Sequence, residues 1–179
     1  VFNDEMTEFD LTRILTGSEG TLAFITEARL DITPLPKVRQ LVNVKYDSFD
    51  SALRNAPVMV EARALSVETV DSKVLNLARE DIVWHSVSEL ITDVPDKEML
   101  GLNIVEFAGD DATLIDQQVT TLCQRLDELM AGSEAGVIGW QVCHDLDGVE
   151  RIYAMRKKAV GLLGNAKGAA KPIPFAEDT

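Results

Sequence analysis

In the stretch "DATLIDQQVTTLCQRLDELMAG", Ile115, Val119, Leu122, Leu126 and Leu129 recur at spacings of four, three, four and three. That period puts all five on one face of an α-helix and demands an apolar surface to cover them. Asp111 is placed to cap the start of the helix, and Gly132 sits where a helix of this length is expected to end. The stretches on either side, "MLGLNIVEFAGD" and "VIGWQVCH", read as strands. A helix with a single apolar stripe between two strands can bury that stripe against a sheet built from those strands. The stripe therefore constrains the fold towards helices laid on a sheet.

The same rhythm occurs earlier in the chain. "VRQLVNVKYD" alternates Leu41, Asn43 and Lys45 against Val42, Val44 and Tyr46, as a strand does. "SFDSALRNA" follows as a short helix with Ser48 as its N-cap, and "ALSVETVD" is a second strand. "SKVLNLARED" is a further short helix, and "VWHSVSELITDVPDKE" is irregular or weakly helical. After the last strand, "DGVERIYAMRKKAVGLLG" makes a final helix with Ile152, Met155, Ala159 and Leu162 on one face. Strand–helix–strand, connector, strand–helix–strand, helix is the pattern of a split βαβ repeat. The expected class is α+β, ferredoxin-like, with an antiparallel sheet and helices on one face.

Residues 1–36 differ. "DLTRILTGSEG" reads as a short helical turn, with Asp10 as a cap, and then a glycine turn. "TLAFITEARLDITPL" alternates as one long strand or two short ones, and Pro34 and Pro36 end it because neither can donate to a ladder. A domain boundary is placed near Lys37, giving domains 1–36 and 37–179. Gly17 and Gly20 permit positive φ and close approach to the backbone. By spacing alone the turn is either a plain turn before a strand or a nest of N–H groups for an anion or a polar ring edge. It is not the GxGxxG fingerprint, and no helix follows it.

Composition excludes several classes. Hydrophobic residues make up 46 % of the chain, enough for a core. The formal charge is −13, and no Lys/Arg stripe carries aromatic neighbours, which argues against a nucleic-acid surface. No long uncharged apolar run suggests a membrane-spanning helix, and no basic–apolar–small pattern suggests a signal peptide. Cys123 and Cys143 read as two buried reduced thiols. His144, Asp145 and Asp147 form a loop cluster read as a solvated turn with an Asp cap. The chain opens on Val1 and stops within "KPIPFAEDT", and is expected to be a piece of a longer, cytoplasmic protein, with peripheral attachment to a membrane left open.

The run Gly17-Ser18-Glu19-Gly20-Thr21-Leu22-Ala23-Phe24-Ile25-Thr26-Glu27 closely resembles the segment that closes the flavin-binding domain of the FAD-linked oxidases. That family includes D-lactate, glycolate and D-2-hydroxyglutarate dehydrogenases and shares its domain with vanillyl-alcohol oxidase. The one departure in the run is Ala23, where the family usually carries a third glycine. "ALSVETVDSKVLNLA", "LNIVEFAGDDATLIDQQV", "ERIYAMRKKAVGLL" and "KPIPFAEDT" resemble successive parts of the family's cap domain. The resemblance implies that 1–36 is the tail of the FAD-binding domain and 37–179 most of the substrate-facing cap.

It further implies FAD contacts from the backbone of Gly17, Ser18, Glu19, Gly20 and Ile25. Substrate carboxylate contacts would come from Arg156 and Lys171, with Lys167 as a competitor. The Thr that the family carries one turn after that Arg is replaced by Val160. Catalytic and metal-binding residues of the family, and any iron–sulfur clusters, would lie outside this chain. The implied reaction is hydride transfer from a D-2-hydroxy acid to flavin, with the electron acceptor unspecified. By itself the chain is expected neither to hold FAD tightly nor to turn over substrate. The rival reading is a non-catalytic ferredoxin-like assembly module, which has no evident use for the glycine run.

Overall fold

The computed structural model describes residues 1–132, 135–165 and 168. The chain divides into two compact units, one holding Val1–Pro34 and the other running Leu35–Pro172.

The first unit carries a single helical turn, α1 (Thr12–Leu15), whose Thr12 N–H donates to Asp10 Oδ1 at 3.0 Å. An isolated antiparallel bridge joins Phe2 to Phe9, with ring centroids 5.0 Å apart. The expected strand over 21–35 is not formed. Alternation marks a segment suited to a sheet, but a strand needs a neighbour to complete its ladder, and none is supplied among the described residues. The alternating apolar side chains are left in solvent, with Phe24 and Ile32 each 93 % exposed. No residue of Val1–Pro34 is buried.

The second unit is built on four antiparallel strands: β1 (Val38–Tyr46), β2 (Ser66–Asp71), β3 (Gly101–Gly109) and β4 (Val137–Cys143). Their order across the sheet is β2-β3-β1-β4. Val42 pairs with Val105 of β3 on one side and with Val142 of β4 on the other. The connections are α2 (Phe49–Glu61), α3 (Ser72–Glu80), a 3₁₀ turn (Ile82–Ser86) and α4 (Ala112–Gly132), and α5 (Leu146–Gly164) follows β4. Each long helix begins at a side-chain cap. Ser48 Oγ accepts from Ser51 N–H at 3.1 Å, and Asp71 Oδ1 accepts from Val74 N–H at 2.8 Å. Asp111 Oδ1 accepts from Thr113 N–H at 2.9 Å, and Asp145 Oδ1 from Gly148 N–H at 2.7 Å. α2 runs past the expected end at Ala56 and carries Pro57 in its interior, because burial of Met59 against the sheet outweighs the lost N–H.

Helices cover both faces of the sheet, not one. The stripe Ile115, Val119, Leu122 and Leu126 packs with Val42, Val44, Val105 and Phe107 on one face. On the other, Leu41, Leu102 and Ile104 pack with Leu75, Ile152 and Met155 of α3 and α5. The second face hides in the sequence because its strands carry polar residues that look solvent-directed. Asn43 and Lys45 are nonetheless buried. Asn43 Nδ2 donates to Leu90 O at 3.1 Å and Lys45 Nζ to Thr92 Oγ1 at 3.0 Å. The loop after the 3₁₀ turn thus accepts from both donors, while Asn43 Oδ1 is buried without a partner among the described residues.

Candidate functional site

α5 brings two polar side chains against the sheet. Its apolar stripe, Val149, Ile152, Met155 and Ala159, is buried at a spacing of three, three and four. Tyr153 and Arg156, three residues apart, flank that stripe on the side facing β2 and β3. Arg156 Nε lies 2.5 Å from Glu68 Oε2 of β2. The Arg156 side chain is 46 % exposed and that of Glu68 28 %. Both line a cleft of about 320 Å³ with Asp71, Val70, Met155 and Val160. Asp71 already caps α3 through Val74 N–H, so the helix N-terminus offsets its charge. Glu68 is offset by Arg156. Glu68 and Arg156 neutralise one another, so what the cleft offers a carboxylate is the remaining N–H donors of the guanidinium, not a net positive charge.

Next to the cleft lies a second polar cluster around Glu106 of β3, which is buried. Its carboxylate accepts from Arg39 Nε at 2.7 Å, Tyr153 Oη at 2.5 Å and Ser66 Oγ at 3.4 Å. The Arg39 guanidinium also stands over the Tyr153 ring, 5.5 Å from its centroid. Burial first, and then the hydrogen bond to Glu106, push the Tyr153 phenol up to about 12. It stays a neutral donor at ordinary pH and ties α5 to the centre of the sheet one turn before Arg156.

The glycine turn belongs to the first unit. Gly17, Glu19 and Gly20 have φ of 80°, 49° and 80°. Thr21 N–H donates to Ser18 O at 2.9 Å, so Ser18–Thr21 has the hydrogen bond and φ pattern of a type I′ turn. Glu19 at positive φ is a strained choice for a residue with a Cβ. Among the described residues, the N–H groups of Glu19 and Gly20 have no acceptor. A Cβ placed on Gly20 would meet nothing within 4 Å. The turn thus offers bare, open backbone, which fits the approach of a flat polar group such as a flavin dinucleotide. Ile25 is exposed close by in sequence.

Lys171 and Lys167 lie outside the described residues. His144 Nδ1 is 3.0 Å from Gln40 Oε1, and Asp145 caps α5. The two cysteines are unpaired, Cys143 buried and Cys123 partly so. Among the described residues no group of three His, Cys, Asp or Glu is placed to hold a metal, and no helix is long and apolar enough to cross a membrane. Glu68 and the Glu106 cluster escaped sequence reasoning. An acidic residue on β2 is visible in "ALSVETVD", but its partner lies on the last helix and nothing local announces it.

The family model described as FAD linked oxidases, C-terminal domain, matches residues 35–179. The chain belongs to the FAD-linked oxidase family. It is 90 % identical over 179 residues to a D-2-hydroxyglutarate dehydrogenase of Escherichia coli (strain K12), covering all of this chain and 18 % of that protein. It is 67 % identical, again over the whole chain, to a protein of the same name from Haemophilus influenzae, covering 17 % of it. A third, from Pseudomonas putida, is 44 % identical over 98 % of this chain and 17 % of its own length. The chain spans less than one fifth of the length of these relatives. Membership in this family implies FAD binding in the whole protein.

Proposed function

We propose that the protein is an FAD-dependent dehydrogenase of D-2-hydroxy acids, with D-2-hydroxyglutarate the first candidate and D-lactate the second. This chain would supply the closing turn of the FAD-binding domain and most of the cap. The observation that carries the substrate reading is Arg156, held half-exposed in a cleft with no competing cation among the described residues. FAD, when bound, accepts the hydride from the substrate carbon. The guanidinium of Arg156 would bind and orient a substrate carboxylate, and the apolar wall of Val70, Met155 and Val160 would exclude water from it. A dicarboxylate needs a second cation, and Lys171 is the residue proposed for it.

Backbone groups of Gly17, Ser18, Glu19, Gly20 and Ile25 are proposed to hold the FAD. Exposed alternating side chains over Leu22–Ile32 support the reading of Val1–Pro34 as an edge of the FAD-binding domain, since that pattern calls for a neighbouring strand. The strand order, with both βαβ halves antiparallel across β1 and β3, supports a ferredoxin-like cap. Within that reading α3 and α5 are additions on the sheet's second face.

The experiment is Arg156→Ala in the full-length flavoprotein. Loss of a charged, carboxylate-binding group is expected to lower kcat/KM for D-2-hydroxyglutarate by about 10- to 100-fold with flavin absorbance intact. Unchanged kinetics would leave Arg156 a surface residue and remove the carboxylate site.

A further inference from the structure

Arginine binds carboxylates through one of two edges, Nε with one Nη or the two Nη groups together. In this chain Glu68 Oε2 lies 2.5 Å from Arg156 Nε as an ion pair without hydrogen-bond geometry, and that oxygen has no hydrogen-bond partner among the described residues. We infer that Glu68 is a positioning residue: it takes the Nε side of Arg156 and leaves the Nη pair for the carboxylate of a substrate in the cleft. This rests on the reading of Arg156 as the carboxylate-binding residue.

Three observations converge on it. Glu68 comes from a strand, paired with Ile104 of the central strand β3, so its own backbone is fixed by a ladder. Arg156 comes from a helix that Tyr153 and Glu106 tie to the same strand one turn earlier. The guanidinium is therefore held at both ends of a long, flexible side chain, which removes rotamer freedom that binding would otherwise have to remove. Finally, Asp71, the other carboxylate of the cleft, is engaged by the Val74 N–H. Glu68 is thus the acidic group of the cleft that is free to act on Arg156, and it offsets one positive charge without covering the Nη groups. A cation so fixed selects a planar, bidentate anion over a monodentate one.

The test is a double-mutant cycle in the full-length flavoprotein, read as kcat and KM for D-2-hydroxyglutarate, with flavin content and melting temperature recorded for each variant. Glu68→Ala is expected to lower kcat/KM about 10- to 100-fold, chiefly through KM. Glu68→Gln keeps the shape of the side chain but removes the charge of the ion pair, and is expected to lose about as much. It also carries the test if the alanine variant folds poorly. In the Arg156→Ala background either Glu68 change is expected to have no further effect, because Glu68 acts only through that guanidinium. If Arg156→Ala is damaging but the Glu68 variants are neutral, or if the two losses multiply, the inference is overturned and the carboxylate site survives. A gain in kcat/KM on removing Glu68 also overturns it, by marking Glu68 as a competitor for the guanidinium. If Arg156→Ala is itself neutral, the carboxylate site and the inference fall together.

Discussion

Tyr153→Phe isolates one bond of the Glu106 cluster. The ring keeps its packing and its place under the Arg39 guanidinium, and only the hydroxyl that donates to Glu106 at 2.5 Å is removed. Hydrogen bonds to charged groups contribute about 1.5–3 kcal/mol. Glu106 retains Arg39 Nε at 2.7 Å and Ser66 Oγ at 3.4 Å, so its carboxylate is not stranded and the low end of that range applies. With a urea m-value of about 2 kcal/mol per molar, a loss of about 1.5 kcal/mol moves the midpoint down by roughly 0.7 M. The assay is urea unfolding followed by tryptophan fluorescence. Trp84 packs beside the core under α3 and α5, and Trp140 beside the core under α2 and α4, so the signal reports on both, and a transition coincident with that followed by far-UV circular dichroism establishes a single cooperative unit.

A pH series sharpens the assay. The Tyr153 phenol is raised from 10.0 to about 12 in the folded chain. A raised pKa means the folded state favours the protonated form. The hydroxyl's contribution is therefore full below pH 10 and is lost as the pH rises towards about 12. The stability gap between the parent and Tyr153→Phe should hold up to the lower value and narrow above it. Tyr46, whose phenol burial also pushes up, titrates equally in both proteins and cancels from the difference. A gap below about 0.5 kcal/mol at neutral pH, within the ordinary scatter of surface substitutions, or one that does not change through this window, would refute the assignment of a stabilising phenol–carboxylate bond.

Two further outcomes follow from packing and burial. Gly101→Ala would place a Cβ 2.7 Å from Ser48 O, 3.1 Å from Ala52 Cβ and 3.2 Å from Phe49 Cα. Two of these are backbone atoms that cannot swing aside, so a loss of about 1–3 kcal/mol is expected in the same urea assay. Burial pushes Cys123 up to about 11 and raises Cys143 as well. Both thiols should therefore resist iodoacetamide at pH 8 in the folded chain and react readily in urea, measured by mass spectrometry.

Much of the secondary structure was legible because its causes are local. Ser48, Asp111 and Asp145 announce helix starts through their side-chain oxygens, and the Ile115–Leu129 stripe declares both a helix and a surface to receive it. The glycine turn was legible too, since positive φ at Gly17 and Gly20 is a property of those residues themselves. Two readings depended on partners far along the chain. Asn43 and Lys45 look like solvent-facing strand positions until Leu90 and Thr92 fold over them, and so the second helical layer went unread. Leu22–Ile32 has the alternation of a strand, but an alternating segment becomes one only beside another.

The site divides in the same way. Arg156 could be singled out from its helix and from the family resemblance. Its pairing with Glu68, and the tie from Tyr153 to Glu106 that sets the register of α5, could not. Each joins residues dozens of positions apart through side chains whose reach carries no sequence period. Periodicity and capping are written into consecutive residues because backbone geometry repeats over a few positions. Which face a charged side chain meets, and whether its partner is water or another charge, is decided only when the sheet assembles and the last helix lies down across it.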